Sequence, residues 1–223
     1  MYQRVDQESR DIRCSPMSGP RRSGGSWYER QQRDPYVKQA RKDGWRSRAV
    51  YKLEQIDQKE RLLRPDIVCV DLGSAPGSWS QYVTRTLKGR ARIVAIDLLA
   101  MDALPDVEFL QGDFQDEAVL ARLLETIGDG GVDLVMSDLA PNISGTKAVD
   151  QPKSMYLVEL ALDMARRVLK RGGSFVCKVF QGEGFDALVV DARSSFERVR
   201  VMKPKASRPG SREVYLVARN YRL

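Results

Sequence analysis

The 223-residue sequence contains no histidine. That absence excludes Ser-His-Asp triads, HExxH zinc sites and most imidazole-based metal catalysis. Cysteine is scarce as well. The three present (Cys14, Cys69 and Cys177) are scattered and form no CxxC pair, which excludes a disulfide framework. Long hydrophobic runs are missing: no stretch approaches the roughly 18 apolar residues of a membrane span, and the N-terminus lacks a signal-peptide core. No internal repeat is visible. These absences point to a cytoplasmic, metal-independent protein without a membrane segment.

What is present begins with unevenly placed charge. The net charge is +7, yet residues 1–48 hold 12 Lys/Arg against 6 Asp/Glu and residues 192–223 hold 9 against 2. The central stretch is therefore acidic. An acidic body with basic ends fits a polyanion binder, and equally a soluble protein with solvated basic tails. Apolar residues make up 42% of the chain, enough for one domain with a real core. Residues 1–33 read as a flexible basic tail. Pro16, Gly19, Pro20, Gly24 and Gly25 interrupt them without apolar periodicity, and Met17 offers a second start there.

From residue 34 onward a folded domain is expected. Ser47 caps a predicted helix to about residue 58, with Ala49, Val50, Leu53 and Ile56 on one face and Lys52 at its edge. Apolar runs predict strands at 67–72, 92–97, 107–111, 132–137, 174–179, 199–202 and 214–218. Helices are expected from about residue 79 and over 119–127, 151–169 and 185–194, the third closed by Arg171-Gly172-Gly173. No helix separates the last two strands, so they are expected to pair antiparallel. The fold class is α/β and Rossmann-like, with a seven-stranded, mostly parallel sheet and helices on both faces.

One motif stands where such a sheet binds ligands. The first strand runs into Asp71-Leu72-Gly73-Ser74-Ala75-Pro76-Gly77-Ser78-Trp79, a small-residue turn opening a helix. It is neither GxGxxG nor a phosphate-binding P-loop. Asp97 closes the second strand, where a carboxylate can take a ribose diol, and Asp113 follows the third, within reach of an adenine amino group. Singly, each acid reads as a turn or helix cap. Together with the turn they favour an adenosine-containing ligand.

Further blocks follow in order: Asp34-Pro35-Tyr36-Val37, Arg46-Ser47-Arg48-Ala49 with Lys52-Leu53, Gln111-Gly112-Asp113-Phe114, Met136-Ser137-Asp138, Lys178-Val179-Phe180-Gln181-Gly182 and Ser211-Arg212-Glu213-Val214-Tyr215. With these the chain resembles the bacterial FtsJ/RrmJ (RlmE) heat-shock methyltransferases over about residues 34–218. The resemblance implies S-adenosylmethionine as cofactor and a ribose 2′-hydroxyl of a uridine in large-subunit (23S) ribosomal RNA as acceptor, in the ribosomal particle, with the enzyme a monomer. Relatives that act on transfer RNA or messenger RNA caps share its hallmark, and a non-catalytic RNA-binding assembly factor is the alternative from another class.

The family's Lys-Asp-Lys-Glu tetrad is filled by Lys52, Asp138, Lys178 and Glu213, with Lys178 matching the general base. Gly77, Trp79, Asp97, Asp113 and Asp138 match its cofactor residues. Ser78 departs from the pattern, since many relatives have glycine there. A lysine base needs a neutral amine. The apolar strand around Lys178 and the charge of Lys52 favour that form, while Asp138 and Glu213 oppose it, so the balance is left to the tertiary structure. Cys177 neighbours Lys178 on a strand and is expected to face the opposite side, in the core. Met155 and Met164 are read as core. Tyr36, Trp45 and Trp27 interleave with basic residues and are candidates for stacking on RNA bases.

Overall fold

The computed structural model describes residues 33–141 and 144–222. The tail expected over residues 1–33, with Trp27 and Cys14, lies outside them apart from Arg33. Seven strands form one sheet: β1 (Ile67–Leu72), β2 (Ala91–Asp97), β3 (Val107–Gln111), β4 (Val132–Ser137), β5 (Leu169–Phe180), β6 (Phe196–Met202) and β7 (Glu213–Tyr221). Their order is β3-β2-β1-β4-β5-β7-β6. All pairings are parallel except those of β7, which runs antiparallel to both neighbours. Chain direction across the sheet reverses between β1 and β4, so a crevice opens beyond their carboxyl ends.

Among the described residues six helices cover the faces: α1 (Pro35–Lys42), α2 (Val50–Glu60), α3 (Ser78–Leu87), α4 (Glu117–Ile127), α5 (Lys147–Val168) and α6 (Phe185–Ser195). Strand alternation sorts the core into two layers. Val70, Leu72, Phe175, Cys177, Leu216 and their neighbours pack against α4, α5 and α6. Ile67, Cys69, Val176, Tyr215 and Val217 pack against α1, α2 and α3. Among the described residues no helix is long and apolar enough to cross a membrane.

Several boundaries differ from the sequence reading, among them the starts of β5 and β6, expected at 174 and 199, and the end of β7, expected at 218. Helix α1 has no counterpart in that reading; Asp34 caps this helix by accepting the Tyr36 N–H at 3.0 Å, and Pro35 starts it. Helix α5 begins at Lys147 rather than 151 and carries Pro152 inside it, past the first turn, where the missing N–H forgoes one bond of the helical ladder. Its end is at Val168, because Leu169 already pairs with Val132 in β4. Gly172-Gly173 therefore does not stop the helix. It belongs to the irregularity where the β4–β5 register slips between Val132 and Leu134. Ser47 Oγ accepts the Ala49 N–H at 3.2 Å, one turn before α2 proper.

Candidate active site

The sheet places four charged side chains at one point. Lys178 and Tyr215 are cross-strand partners on β5 and β7, so both project toward the α1–α3 layer. Lys52 reaches them from α2, and Asp138 follows the last residue of β4. The Lys178 ammonium nitrogen donates to the Asp138 carbonyl at 2.7 Å and lies 3.1 Å from its carboxylate Oδ1. Lys52 Nζ is 3.0 Å from Glu213 Oε1 and 4.0 Å from Asp138 Oδ1. Lys178 is buried although it is a lysine.

A fifth group completes the cluster. The Tyr215 hydroxyl donates to Asp138 Oδ1 at 2.8 Å and lies 3.5 Å from Glu213 Oε1. Its ring sits under the Lys52 ammonium at 5.6 Å and against Trp79 at 5.9 Å. Ser207 donates a further hydrogen bond to Glu213 at 2.8 Å. Burial alone would raise the Asp138 pKa, but Lys178, Lys52 and the Tyr215 hydroxyl outweigh it and hold the carboxyl below its ordinary 3.8. Burial, then the two carboxylates, push the Tyr215 phenol well above 10, so it stays a donor.

Two cavities meet at this cluster. One, of about 320 Å³, lies at the ends of β1, β2, β3 and β4, with Asp97, Asp113 and Asp138 among apolar walls from Ile96, Leu98, Phe114 and Leu139. The other, also about 320 Å³, is lined by Arg48, Lys52, Phe180, Arg208 and Glu213. Asp138 borders the first and Lys52 with Glu213 the second, so charged groups separate a cleft suited to a flat apolar ring and diol from a basic one.

The FtsJ-like methyltransferase family model matches residues 45–221. The chain belongs to the FtsJ-like methyltransferase family. It is 57% identical over 196 residues to ribosomal RNA large subunit methyltransferase E of Pseudomonas fluorescens, covering 88% of this chain and 94% of that protein. The namesake from Pseudomonas aeruginosa is also 57% identical, over 88% of this chain and 95% of its own. Among solved structures, a putative ribosomal RNA methyltransferase from Plasmodium falciparum superimposes with a TM-score of 0.72 at 31% identity, covering 79% of this chain and 98% of that one. Human methyltransferase-like protein 13, solved in complex with SAH, shares the fold at a TM-score of 0.52 and 14% identity, over 77% of this chain and 79% of that one.

In this FtsJ-like methyltransferase the site positions read from the sequence fall in distinct settings. Lys52, Asp138, Lys178 and Glu213 converge as described. Asp97 and Asp113 line the large cleft, but Asp97 is also a turn closer: its oxygens accept the Ala75 N–H at 2.9 Å and the Leu99 N–H at 2.8 Å. Trp79 is buried, donates its indole N–H to the Ala49 carbonyl at 2.9 Å, and borders only a small neighbouring void with Ser74 and Asp138. Gly77 lines neither large cavity. It caps α3 with φ +98°, where a Cβ would come within 2.7 Å of Met101 Sδ and 2.9 Å of the Arg46 guanidinium. Ser78, the departure from the family pattern, is buried and hydrogen-bonds Ser47 Oγ at 2.9 Å.

Other expectations resolve as well. Cys177 faces the α4–α6 layer, away from Lys178, and burial pushes its thiol up. Trp45 is stacked under Arg85 at 4.4 Å, and Tyr36 packs on Tyr51 at 5.4 Å, so each half-buried ring already has one partner within the fold. Sequence reasoning missed the role of Tyr215, although its alternation with Glu213 already placed the two on one face of β7. It also missed Asp71, fully buried under α3, where it accepts from the Ser80 hydroxyl at 2.6 Å. Burial first, then the nearby charge of Asp138, raises Asp71 to about 7, against the Ser80 hydrogen bonds.

Proposed function

We propose that this enzyme transfers a methyl group from S-adenosylmethionine to the ribose 2′-hydroxyl of a uridine in large-subunit (23S) ribosomal RNA, acting as a cytoplasmic monomer on the ribosomal particle. The observation that carries the reading is the Lys52–Asp138–Lys178–Glu213 cluster standing between a cleft with two carboxylates and a basic cavity. The names of the Pseudomonas relatives support the choice of RNA. Residues 34–223 form the catalytic domain in this reading.

The donor cleft fits an adenosine. Asp97 and Asp113 retain acceptor capacity beyond the backbone N–H groups they already hold, and the apolar walls suit a purine. Gly77 and Trp79 shape the turn at its inner end. When bound, S-adenosylmethionine supplies an electrophilic methyl group. The chain's own task is to raise the nucleophilicity of a poor nucleophile. Lys178 Nζ, freed of its own proton, takes the proton of the acceptor hydroxyl. Lys52, held by Glu213, stabilises negative charge growing on that oxygen. Asp138 holds Lys178 in place through both its carboxylate and its carbonyl.

Arginine keeps the charge of lysine but cannot act as a base. Both Lys178→Ala and Lys178→Arg are therefore expected to slow methyl transfer by about 10²–10⁴-fold, with cofactor affinity little changed. The check is single-turnover transfer of labelled methyl to ribosomal particles across pH, where only wild type should rise to a plateau. Retention of most activity by Lys178→Arg would assign Lys178 an electrostatic role and leave Asp138 as the base. Absence of any labelled 2′-O-methyl product from wild type would sink the function itself.

A further inference from the structure

Arg46 belongs to the basic N-terminal stretch that composition marks as a candidate for binding a polyanion, yet its guanidinium is taken up by the protein's own backbone. It donates to the Pro76 carbonyl at 3.0 Å, the Asp102 carbonyl at 2.7 Å and the Ala103 carbonyl at 2.8 Å. Its own N–H donates to Gln81 Oε1 at 3.0 Å, and Gln81 in turn donates to the Gly44 carbonyl at 3.0 Å. The first carbonyl lies in the turn that opens α3. The other two lie in the 98–106 connection, which joins β2 to β3 without a helix.

That connection matters because it carries a wall of the donor cleft. Leu98 and Leu99 line the cleft directly after Asp97, although each remains about two-thirds exposed, at 64% and 68%. Such a segment has little core burial of its own to hold it. Met101 and Leu104 pack over Gly77, beside the Arg46 guanidinium, which leaves room only for a glycine there. One planar fork makes three charge-assisted hydrogen bonds, two to this segment and one to the α3 turn, and so ties them together.

We infer that Arg46 is a positioning residue for the methyl donor: it straps the 98–106 connection to the Gly77 turn and so sets the wall beside Asp97. The inference rests on the reading that this cleft takes S-adenosylmethionine. It separates Arg46 from its neighbour Arg48, whose side chain binds Asp34 and the Ala206 carbonyl and which lines the basic cavity instead.

The test uses the full chain and S-adenosylhomocysteine as probe, titrated by calorimetry into wild type, Arg46→Met and Arg46→Lys. Methionine keeps the unbranched stem and removes every donor; lysine restores the charge and a single donor nitrogen without the planar fork. Arg46→Met is expected to bind the probe about tenfold more weakly and Arg46→Lys to recover part of the loss. The KM for S-adenosylmethionine should rise by the same factor, while kcat at saturating cofactor stays within about twofold. The salt dependence of binding to large-subunit rRNA should not change, because a guanidinium held by carbonyls neutralises no phosphate. Unchanged probe affinity in Arg46→Met overturns the inference, most clearly if the salt slope falls by about one instead. A joint fall in kcat, cofactor affinity and melting temperature also overturns it, since that marks a general structural role. Failure of wild type to bind the probe would instead remove the cofactor reading beneath it.

Discussion

At the scale of single residues, Tyr215 explains how two carboxylates and two lysines hold one arrangement. Each acid has a cation beside it, but cations on flexible stems do not fix the orientation of a carboxylate. The buried phenol does, through a 2.8 Å hydrogen bond to Asp138 from a ring packed against Trp79. Tyr215→Phe keeps the ring under Lys52 and removes only the hydroxyl. Loss of a buried hydrogen bond to a charged group costs about 1.5–3 kcal/mol. The Asp138 pKa is depressed, so the stability its charge contributes is present above 3.8 and is lost as pH falls through the lower folded value. Without the hydroxyl that folded value rises. Tyr215→Phe should therefore unfold at higher pH in an acid titration followed by circular dichroism, and kcat should fall with KM for cofactor unchanged. An acid midpoint identical to wild type would show that the lysines alone set the carboxylate.

At the scale of elements, function collects at the carboxyl ends of parallel strands because that is where the chain leaves the sheet and backbone groups are free. Asp97 at the end of β2 shows the double use of such a position. It closes the turn to Ala75 and Leu99 and also faces the cleft. Asp97→Ala leaves two backbone N–H groups without a partner and removes the proposed acceptor for a ribose diol. Cofactor binding should weaken by roughly 1.5–3 kcal/mol by calorimetry. Asp97→Asn, which retains one acceptor oxygen, should lose less. Equal affinity in Asp97→Ala and wild type would leave this residue with the turn alone.

At the scale of the whole molecule, the described segments of the two basic stretches, around residues 34–48 and 206–208, meet in space. Asp34 pairs with Arg48 and lies 3.8 Å from Arg208, and Arg48 also reaches the Ala206 carbonyl. Segments from opposite ends of the chain thus share the rim of one cavity. Some of the described charge is tied to the protein itself: Arg46 and Arg48 are taken up by carbonyls and Asp34, and Lys203, although exposed, donates to the Ser211 carbonyl at 2.6 Å. Lys205 and Arg212 are exposed on the same loop, Arg212 with one hydrogen bond to the Gln181 carbonyl at 3.0 Å. Reversing both, as Lys205→Glu with Arg212→Glu, should weaken binding to large-subunit rRNA with cofactor affinity intact. The salt slope should drop by about one for each phosphate these side chains neutralise. The measurement is affinity across a salt series. An unchanged slope would mean that the loop is merely solvated.

Much of this architecture is local information. Short β-branched runs alternating with amphipathic segments dictate strands and helices, and each of the seven expected runs lies within a strand, though β5, β6 and β7 extend beyond theirs. The small-residue turn after Asp71 and the acids after β2 and β3 are equally visible, because a sheet of this kind binds at its strand ends. Alternation alone also sends Cys177 and Lys178 to opposite faces. Other features depend on partners far away in the chain. The start of β5 at Leu169 is decided by pairing with Val132, which overrides a local glycine signal. The role of Tyr215 requires Asp138 beside it, and the role of Arg46 requires carbonyls some thirty and fifty-six residues away. Periodicity specifies which face a side chain takes; only the folded sheet decides which charge, carbonyl or cavity that face meets, because those contacts join segments with no short-range relation.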